Sequence, residues 1–178
     1  MKDILKQLFK DEKLCEFYFY GGDADVFCVG FLSKIDGDFI LIQSVASDGG
    51  DDGWVYQPVR FIATVRTDTR YLHNMQALMK SKGNGFRTSE YKGEGLDGLL
   101  SFVKSKGYIC TFELDNDEER SVCGKISAVN KETVTIAAFD GDGYGDGTAF
   151  VRKEDVSGVS INTADEQKIK FLCENRDE

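Results

Sequence analysis

The chain has 178 residues, with 22 basic and 31 acidic side chains and a net charge of −9. Because no cluster of Lys and Arg stands out, this acidic balance argues against a nucleic-acid partner. Five cysteines without a Cys-x-x-Cys spacing favour a reducing compartment, and no apolar run reaches the ~18 residues of a membrane span. We therefore expect a cytoplasmic protein that does not enter a membrane.

The first half of the chain predicts an opening helix, five short strands and a closing helix. Apolar residues recur at helical spacing at both ends of this half, in segments 4–9 and 70–79. Alternating apolar and polar residues, bounded by Gly, Asp and Pro, predict strands at 15–20, 26–34, 39–45, 54–59 and 61–67.

The second half repeats this pattern at a constant offset. Gly30 and Ser33 match Gly124 and Ser127, each 94 residues later, and we expect no gap from residue 14 to residue 79. Strands are predicted at 108–114, 121–129, 133–139, 148–152 and 156–161, before a helix at 164–174. The polar, glycine-rich segment 80–95 is typical of a linker. The sequence thus predicts two domains, 1–79 and 96–178, joined by the linker 80–95.

Five short strands per copy favour a small barrel, because closure removes exposed strand edges. The expected class is mainly β with short helices (α+β): two tandem five-stranded barrels, each with a short N-terminal helix and a C-terminal helix. The copies resemble Sm-like domains, including the bacterial Sm-like RNA chaperone, among the small SH3-like barrels. The resemblance rests on the second-strand glycine, the turn after it and the final strand: Gly30, Ile35, Asp36, Ile62 and Val65, with Gly124, Val129, Asn130, Val156 and Val159.

The residues with which that family binds RNA are mostly absent. The position of its Asn after the turn falls on Ile40 and Val134, which cannot hydrogen-bond to a base edge. Of its Arg-Gly pair, only the Arg remains, as Arg152. As an alternative function, the resemblance implies RNA binding through Lys125, Arg152 and Lys153.

One strand face differs between the copies. At seven positions an apolar residue of the first copy matches a polar residue of the second: Phe17, Phe19, Phe27, Phe31, Phe39, Leu41 and Phe61. Left in water, these side chains would exceed the apolar patch that soluble monomers usually expose. We expect the same chain or another subunit to cover them, unless a strand bulge shifts the face assignment. The predicted function is a non-enzymatic binding or assembly module that self-associates or binds a protein partner.

The second glycine-aspartate loop carries spaced carboxylates that suggest a cation site, with Asp140, Asp142 and Asp146 as candidate ligands. Tyr144 and Val151 stand where further ligands are required, which favours a solvated hairpin loop.

Two other features weigh against an enzyme or a cofactor. Gly93, Gly95 and Gly98 match the dinucleotide-binding fingerprint, but no hydrophobic strand precedes them, so a linker is favoured. The single histidine, His73, has no nucleophile at a spacing that would indicate catalysis. We expect no catalytic residue and no cofactor.

Overall fold

The computed structural model describes residues 1–20, 26–87, 89–114 and 117–175. The chain divides into two compact units, unit 1 (Met1–Glu90) and unit 2 (Tyr91–Glu178). The division falls inside the segment predicted to be a linker, of which Lys80 and Ser81 belong to a helix of unit 1 and Gly95 begins a helix of unit 2. Antiparallel strands dominate both units, which confirms the mainly β, α+β class.

Unit 1 opens and closes with a helix. Its elements are α1 (Lys2–Lys10), β1 (Leu14–Phe19), β2 (Cys28–Asp36), β3 (Phe39–Val45), β4 (Asp51–Pro58), a 3₁₀ turn (Val59–Phe61), β5 (Ile62–Thr67) and α2 (Arg70–Ser81). The strands follow the order β5-β1-β2-β3-β4. The Thr69 hydroxyl accepts the Leu72 N–H at 3.2 Å, which caps α2 and starts it at this point.

Unit 2 repeats the same element order. It contains α3 (Gly95–Lys106), β6 (Ile109–Leu114), β7 (Asp117–Val129), β8 (Thr133–Phe139), β9 (Gly145–Arg152), a 3₁₀ turn (Lys153–Asp155), β10 (Val156–Ile161) and α4 (Ala164–Glu174). The strands follow the order β10-β6-β7-β8-β9. Among the described residues of both units, no helix is long and apolar enough to cross a membrane.

The expected closure of each sheet into a barrel is wrong, because the sheets are open. In unit 1, β5 and β4 stand at opposite ends of the strand order, and no ladder joins them within the described residues. The chain turns through its 3₁₀ segment after β4 and then pairs β5 with β1, on the far side of the sheet. Bulges bend the strands at matching places, between Leu32 and Lys34 and between Ile126 and Ala128.

The sheet of unit 1 is buried on both faces. One face packs against α1 in a cluster formed by Leu5, Cys15, Phe17, Leu32, Ile40, Ile42, Val59 and Ile62. The other face packs against α2 in a cluster formed by Leu14, Val29, Phe31, Val45, Leu72, Met75 and Met79. Because both faces of the sheet are packed, apolar residues occur at both odd and even positions along the strands of unit 1.

The repeat is not gapless as expected. Leu14 pairs with Phe31 in unit 1, whereas Ile109 pairs with Lys125 in unit 2. The second strands keep the 94-residue offset, but β1 and β6 align only at an offset of 95. The extra residue of unit 1 falls in the connection between β1 and β2, where a length change leaves the core intact.

Candidate functional site

Three of the seven predicted interface residues are buried inside unit 1. Phe17 is 0% exposed, Leu41 3% and Phe31 7%. The assignment of Phe17 to the outer face is wrong, because its pairing with Cys28 turns it toward α1 and Leu32. The extra residue between β1 and β2 shifts the alignment of β1 by one position, and a shift of one residue exchanges the two faces of a strand.

The other four predicted interface residues are half-buried and also have contacts within unit 1. Phe19 packs against the α1-side cluster, and Phe27 packs against the α2-side cluster. The ring of Phe39 stacks on Tyr56 with centroids 4.8 Å apart. The Arg60 guanidinium lies 4.6 Å from the centroid of Phe61. Neighbouring elements of unit 1 therefore cover much of this apolar surface.

A row of three side chains crosses the middle of this sheet. Phe31 on β2 is paired with Gln43 on β3, and Gln43 is paired with Trp54 on β4. Directly paired residues project from the same face, so the three side chains lie side by side. We call them the three-strand row.

A segment from the predicted linker lies on the three-strand row. We call residues 83–87 the strap. The Gln43 Nε2 atom donates to the Gly85 carbonyl at 3.0 Å, and the Arg87 N–H donates to Gln43 Oε1 at 2.7 Å. Gln43 is completely buried. Its side-chain amide has a donor and an acceptor, as a backbone peptide group does, and both pair with the backbone of the strap.

The strap side chains contact the two ends of the row. The Phe86 ring lies 5.8 Å from the Phe31 ring at an interplanar angle of 69°, which is an edge-to-face contact. The Arg87 guanidinium lies 5.9 Å from the Trp54 centroid and pairs with Asp51. Three successive residues of the strap thus meet the three residues of the row.

The row itself is not repeated on the strands of unit 2. At the matching positions it carries Lys125, Ala137 and Thr148, which are paired in the same order across β7, β8 and β9. Neither Ala137 nor Thr148 offers the long amide or the aromatic surface found in unit 1. The row therefore distinguishes the units chemically, although they share one topology.

The candidate RNA-binding residues lie in two separate places. Arg152 and Lys153 line a cleft of about 610 Å³ in unit 2, together with Lys131, Glu132, Thr133 and Glu154. Lys125 is half-buried on β7 and does not line this cleft. The structure thus brings together two of the three predicted residues.

Lys153 is held by acceptors of its own unit. Its ammonium lies 2.6 Å from an Asp97 carboxylate oxygen and 3.3 Å from the Lys131 carbonyl, and it also donates to the Asn130 carbonyl. These contacts use all three donors of a lysine. Lys131 and Arg152 are therefore the cleft cations best placed to meet an anion.

The glycine-aspartate loops use their carboxylates on their own backbone. Asp140 Oδ1 accepts the N–H groups of Asp142 and Tyr144 at 3.0 and 2.8 Å, as in a capped turn. In unit 1, hydrogen bonding to Lys82 holds the pKa of Asp48 below its usual value. The described residues contain no group of three or more possible metal ligands, whether at Asp140, Asp142 and Asp146 or elsewhere.

No known protein family, curated protein or solved structure matches this chain. We therefore argue its function from the geometry of the two units.

The glycines of the apparent dinucleotide fingerprint enclose a tyrosine of the same chain. Tyr91 is 3% exposed, and its hydroxyl donates to the Gly95 carbonyl at 2.9 Å. A Cβ atom at Gly93 would lie 2.6 Å from the Tyr91 ring, and one at Gly98 would lie 2.8 Å from its hydroxyl. These glycines therefore make room for a side chain, which accounts for their spacing without a nucleotide.

Sequence reasoning missed Gln43 and Tyr91 for different reasons. Gln43 interrupts the apolar run of β3, and an uncharged amide between buried neighbours signals a specific hydrogen-bond partner. Tyr91 is surrounded by polar and glycine residues, so nothing in the local pattern indicates that it is buried. His73, in contrast, is exposed on α2.

Proposed function

We propose that this chain is a non-enzymatic binding or assembly module made of two Sm-like units with open sheets. An opening helix, five antiparallel strands in the order fifth-first-second-third-fourth and a short turn before the last strand support the Sm-like assignment of each unit. The module acts by adding a strand of another protein molecule, with self-association as the first expectation.

The outer edge of β9 carries this proposal. Among the described residues, β9 has one strand partner, β8. The Lys153 N–H donates to the Glu132 carbonyl, which lies opposite it in the β8–β9 register. Because hydrogen-bonded pairs alternate along an antiparallel ladder, the backbone groups of Thr148, Phe150 and Arg152 point away from β8.

This edge lacks two of the residue types that most often protect against strand pairing. Between Gly145 and Arg152, β9 contains no Pro and no Lys, residues that commonly block an exposed edge. The side chain of Phe150 is 74% exposed, whereas Tyr56 at the matching position of unit 1 is 1% exposed. An aromatic side chain beside an outward-facing backbone suits a partner strand that adds both hydrogen bonds and apolar contact.

Two substitutions at one position test the proposal. Phe150→Pro removes an outward N–H and the ring, whereas Phe150→Ala removes only the ring. We expect sedimentation to show an assembly of the native chain that Phe150→Pro weakens about fivefold more than Phe150→Ala, since a net hydrogen bond contributes ~1 kcal/mol. A native chain that stays monomeric at high concentration, or equal effects of the two variants, would contradict strand addition at β9.

RNA binding is the second candidate, and the unit 2 cleft favours it. Lys131 and Arg152 line the cleft, but Glu132 and Glu154 line it as well, so any affinity should be weak and best detected at low salt. Mobility shift with oligo-U and oligo-A at low salt tests this function. Loss of binding in Arg152→Ala but not in Lys125→Ala would place RNA in the cleft, and no shift at low salt would reject RNA binding.

A further inference from the structure

We propose that the three-strand row of unit 1 is a recognition site for an extended peptide of another protein, in which an aromatic residue is followed directly by arginine. The strap of this chain occupies the site in cis. This inference concerns a different surface from β9 and does not depend on strand addition there.

The strap shows which chemistry the row accepts. The hydrogen bonds between the Gln43 side chain and the strap go to the backbone of Gly85 and Arg87, so other extended residues can make them. Specificity comes from two side chains of the strap: Phe86 contacts Phe31, and Arg87 lies over Trp54. Asp51 pairs with the guanidinium and selects a cation at that end of the site.

The three-strand row is more firmly fixed than the strap. Gln43 is 0% and Phe31 7% exposed, and both stand on central strands of the sheet. The strap contains Gly83 and Gly85, its Phe86 is half-buried, and the Arg87 side chain is 49% exposed. Because glycine loses more conformational entropy on ordering than other residues, Gly83 and Gly85 offset part of the stabilisation that the strap gains from these contacts and from Asn84, whose Nδ2 atom donates to the Gly49 carbonyl at 3.0 Å.

A cavity beside the strap provides room for a longer occupant. It measures about 380 Å³ and is lined by Phe31, Gln76, Met79, Lys80, Gly83, Asn84 and Gly85. Phe31 forms part of both the cavity and the row, so the two are continuous. A peptide with a larger aromatic residue in place of Phe86 can extend from the row toward α2.

Occupation in cis makes the strap a competitor. A tethered segment acts at an effective concentration of about millimolar, which masks a site from most external peptides until the strap is released. The site is therefore best detected in a chain whose strap has lost the side chains of Phe86 and Arg87.

The test uses the full chain and a labelled synthetic peptide with the sequence of residues 82–90. Fluorescence anisotropy should show binding to Phe86→Ala/Arg87→Ala about tenfold or more tighter than to the native chain, because the cis competitor loses both side-chain contacts with the row and is weakened. Trp54 is the single tryptophan, so its emission reports occupancy directly. The emission should change when the strap is released and return on addition of the peptide.

Matched variants identify the site. Adding Gln43→Leu to the strap-released chain, or replacing Phe by Ala in the peptide, should each abolish binding. Lys6→Ala, at an exposed position of α1 away from the row and the cavity, should leave it unchanged. If the double variant does not fold, Arg87→Gln alone serves as the strap-weakened chain, with circular dichroism as the check.

Several results would overturn the proposal. These are no binding by a folded strap-released chain, binding that survives Gln43→Leu, and binding without any change in Trp54 emission. Dimerisation of the strap-released chain with no peptide binding would also overturn it, in favour of a contact between copies.

Discussion

Glu16 and Glu166 each link the first strand of a unit to its closing helix, Glu16 from the strand and Glu166 from the helix. Glu16 lies on β1, and its carboxylate accepts the hydroxyl of Thr69, at the start of α2, at 2.5 Å. In unit 2 the position of Glu16 is taken by Thr111, whose hydroxyl donates at 2.6 Å to Glu166 in the first turn of α4. Each unit thus joins its first strand to its closing helix by one carboxylate and one threonine hydroxyl, with the two groups exchanged.

The first prediction concerns the cost of breaking these connections. Both carboxylates are at least 97% buried, and Glu166 also accepts the N–H and hydroxyl of Thr163 at 2.7 and 2.6 Å. We expect Glu16→Ala and Glu166→Ala each to lower the free energy of unfolding by about 1–3 kcal/mol, with Glu166→Ala the larger because it also removes the helix cap. Urea unfolding measures both, and Glu154→Ala, an exposed position, is the control.

The second prediction concerns two loop glycines that contact the closing helices. Gly49 has a φ of +82° and Gly143 a φ of +77°. An added Cβ would lie 2.6 Å from the Met79 nitrogen at the first and 3.0 Å from Leu172 Cβ at the second. Alanine should therefore cost about 1–3 kcal/mol beyond the backbone strain, and more at Gly49.

Gly37 is the matched control for that prediction. Its φ is +61°, but no atom lies within 4 Å of an added Cβ. Gly37→Ala should show the strain alone, about 1 kcal/mol. Equal thermal destabilisation at all three positions would contradict the proposed contact between the loops and the helices.

The third prediction reverses a usual trend. Gly to Ala inside a helix normally stabilises by about 0.5–1 kcal/mol. Gly98→Ala in α3 should instead destabilise unit 2, because the new methyl group meets the Tyr91 hydroxyl at 2.8 Å. In a Tyr91→Ala background, the same change should recover its stabilising sign. A double-mutant cycle by chemical unfolding gives the coupling, and additive effects would contradict the contact.

The fourth prediction concerns alkaline pH. Burial raises the pKa of Cys15 to about 12, and it also raises the pKa of Cys110. Below the unfolded-state value of ~8.5, both states keep the proton and no penalty arises. Above it the unfolded thiol ionises while the buried thiol stays neutral, so stability should fall by about 1.4 kcal/mol per pH unit and per thiol, up to the folded pKa.

Cys15→Ala isolates the contribution of one thiol to that pH dependence. The variant should lose stability less steeply than the native chain between pH ~9 and 11, whatever its stability at neutral pH. Parallel curves would contradict the assignment. Native-state alkylation followed by mass spectrometry should also modify Cys15 and Cys110 last.

Much of the secondary structure followed from periodicity and turn residues. The expected strand 39–45 coincides with β3, and the expected helix 164–174 coincides with α4, since alternation and helical spacing are properties of the local chain. The repeat also gave the order of elements. The expectation of a closed barrel is wrong because closure depends on whether the two end strands of the sheet, such as β5 and β4 in unit 1, pair with each other. No local sequence pattern shows whether they do.

The candidate surfaces were harder to predict, because a single insertion changes which face a residue occupies. Phe17 lies on the face opposite to the expected one, whereas Phe31 lies on the expected face and is covered by α2 and by Phe86. Cover supplied by a segment distant in sequence cannot be seen in the strand pattern. The strap looked like a linker because its glycines and polar residues form no periodic pattern.

The burial of Tyr91 sets the shortest piece of the second half that can fold by itself. A fragment that starts at residue 96 would lack the ring that fills the space between Gly93 and Gly98. It would expose the first turns of α3 to water and leave Phe102 without its aromatic neighbour, which lies 5.7 Å away. Dissection of this protein by truncation or limited proteolysis should therefore cut before Tyr91, although the polar composition of the segment invites a cut after it.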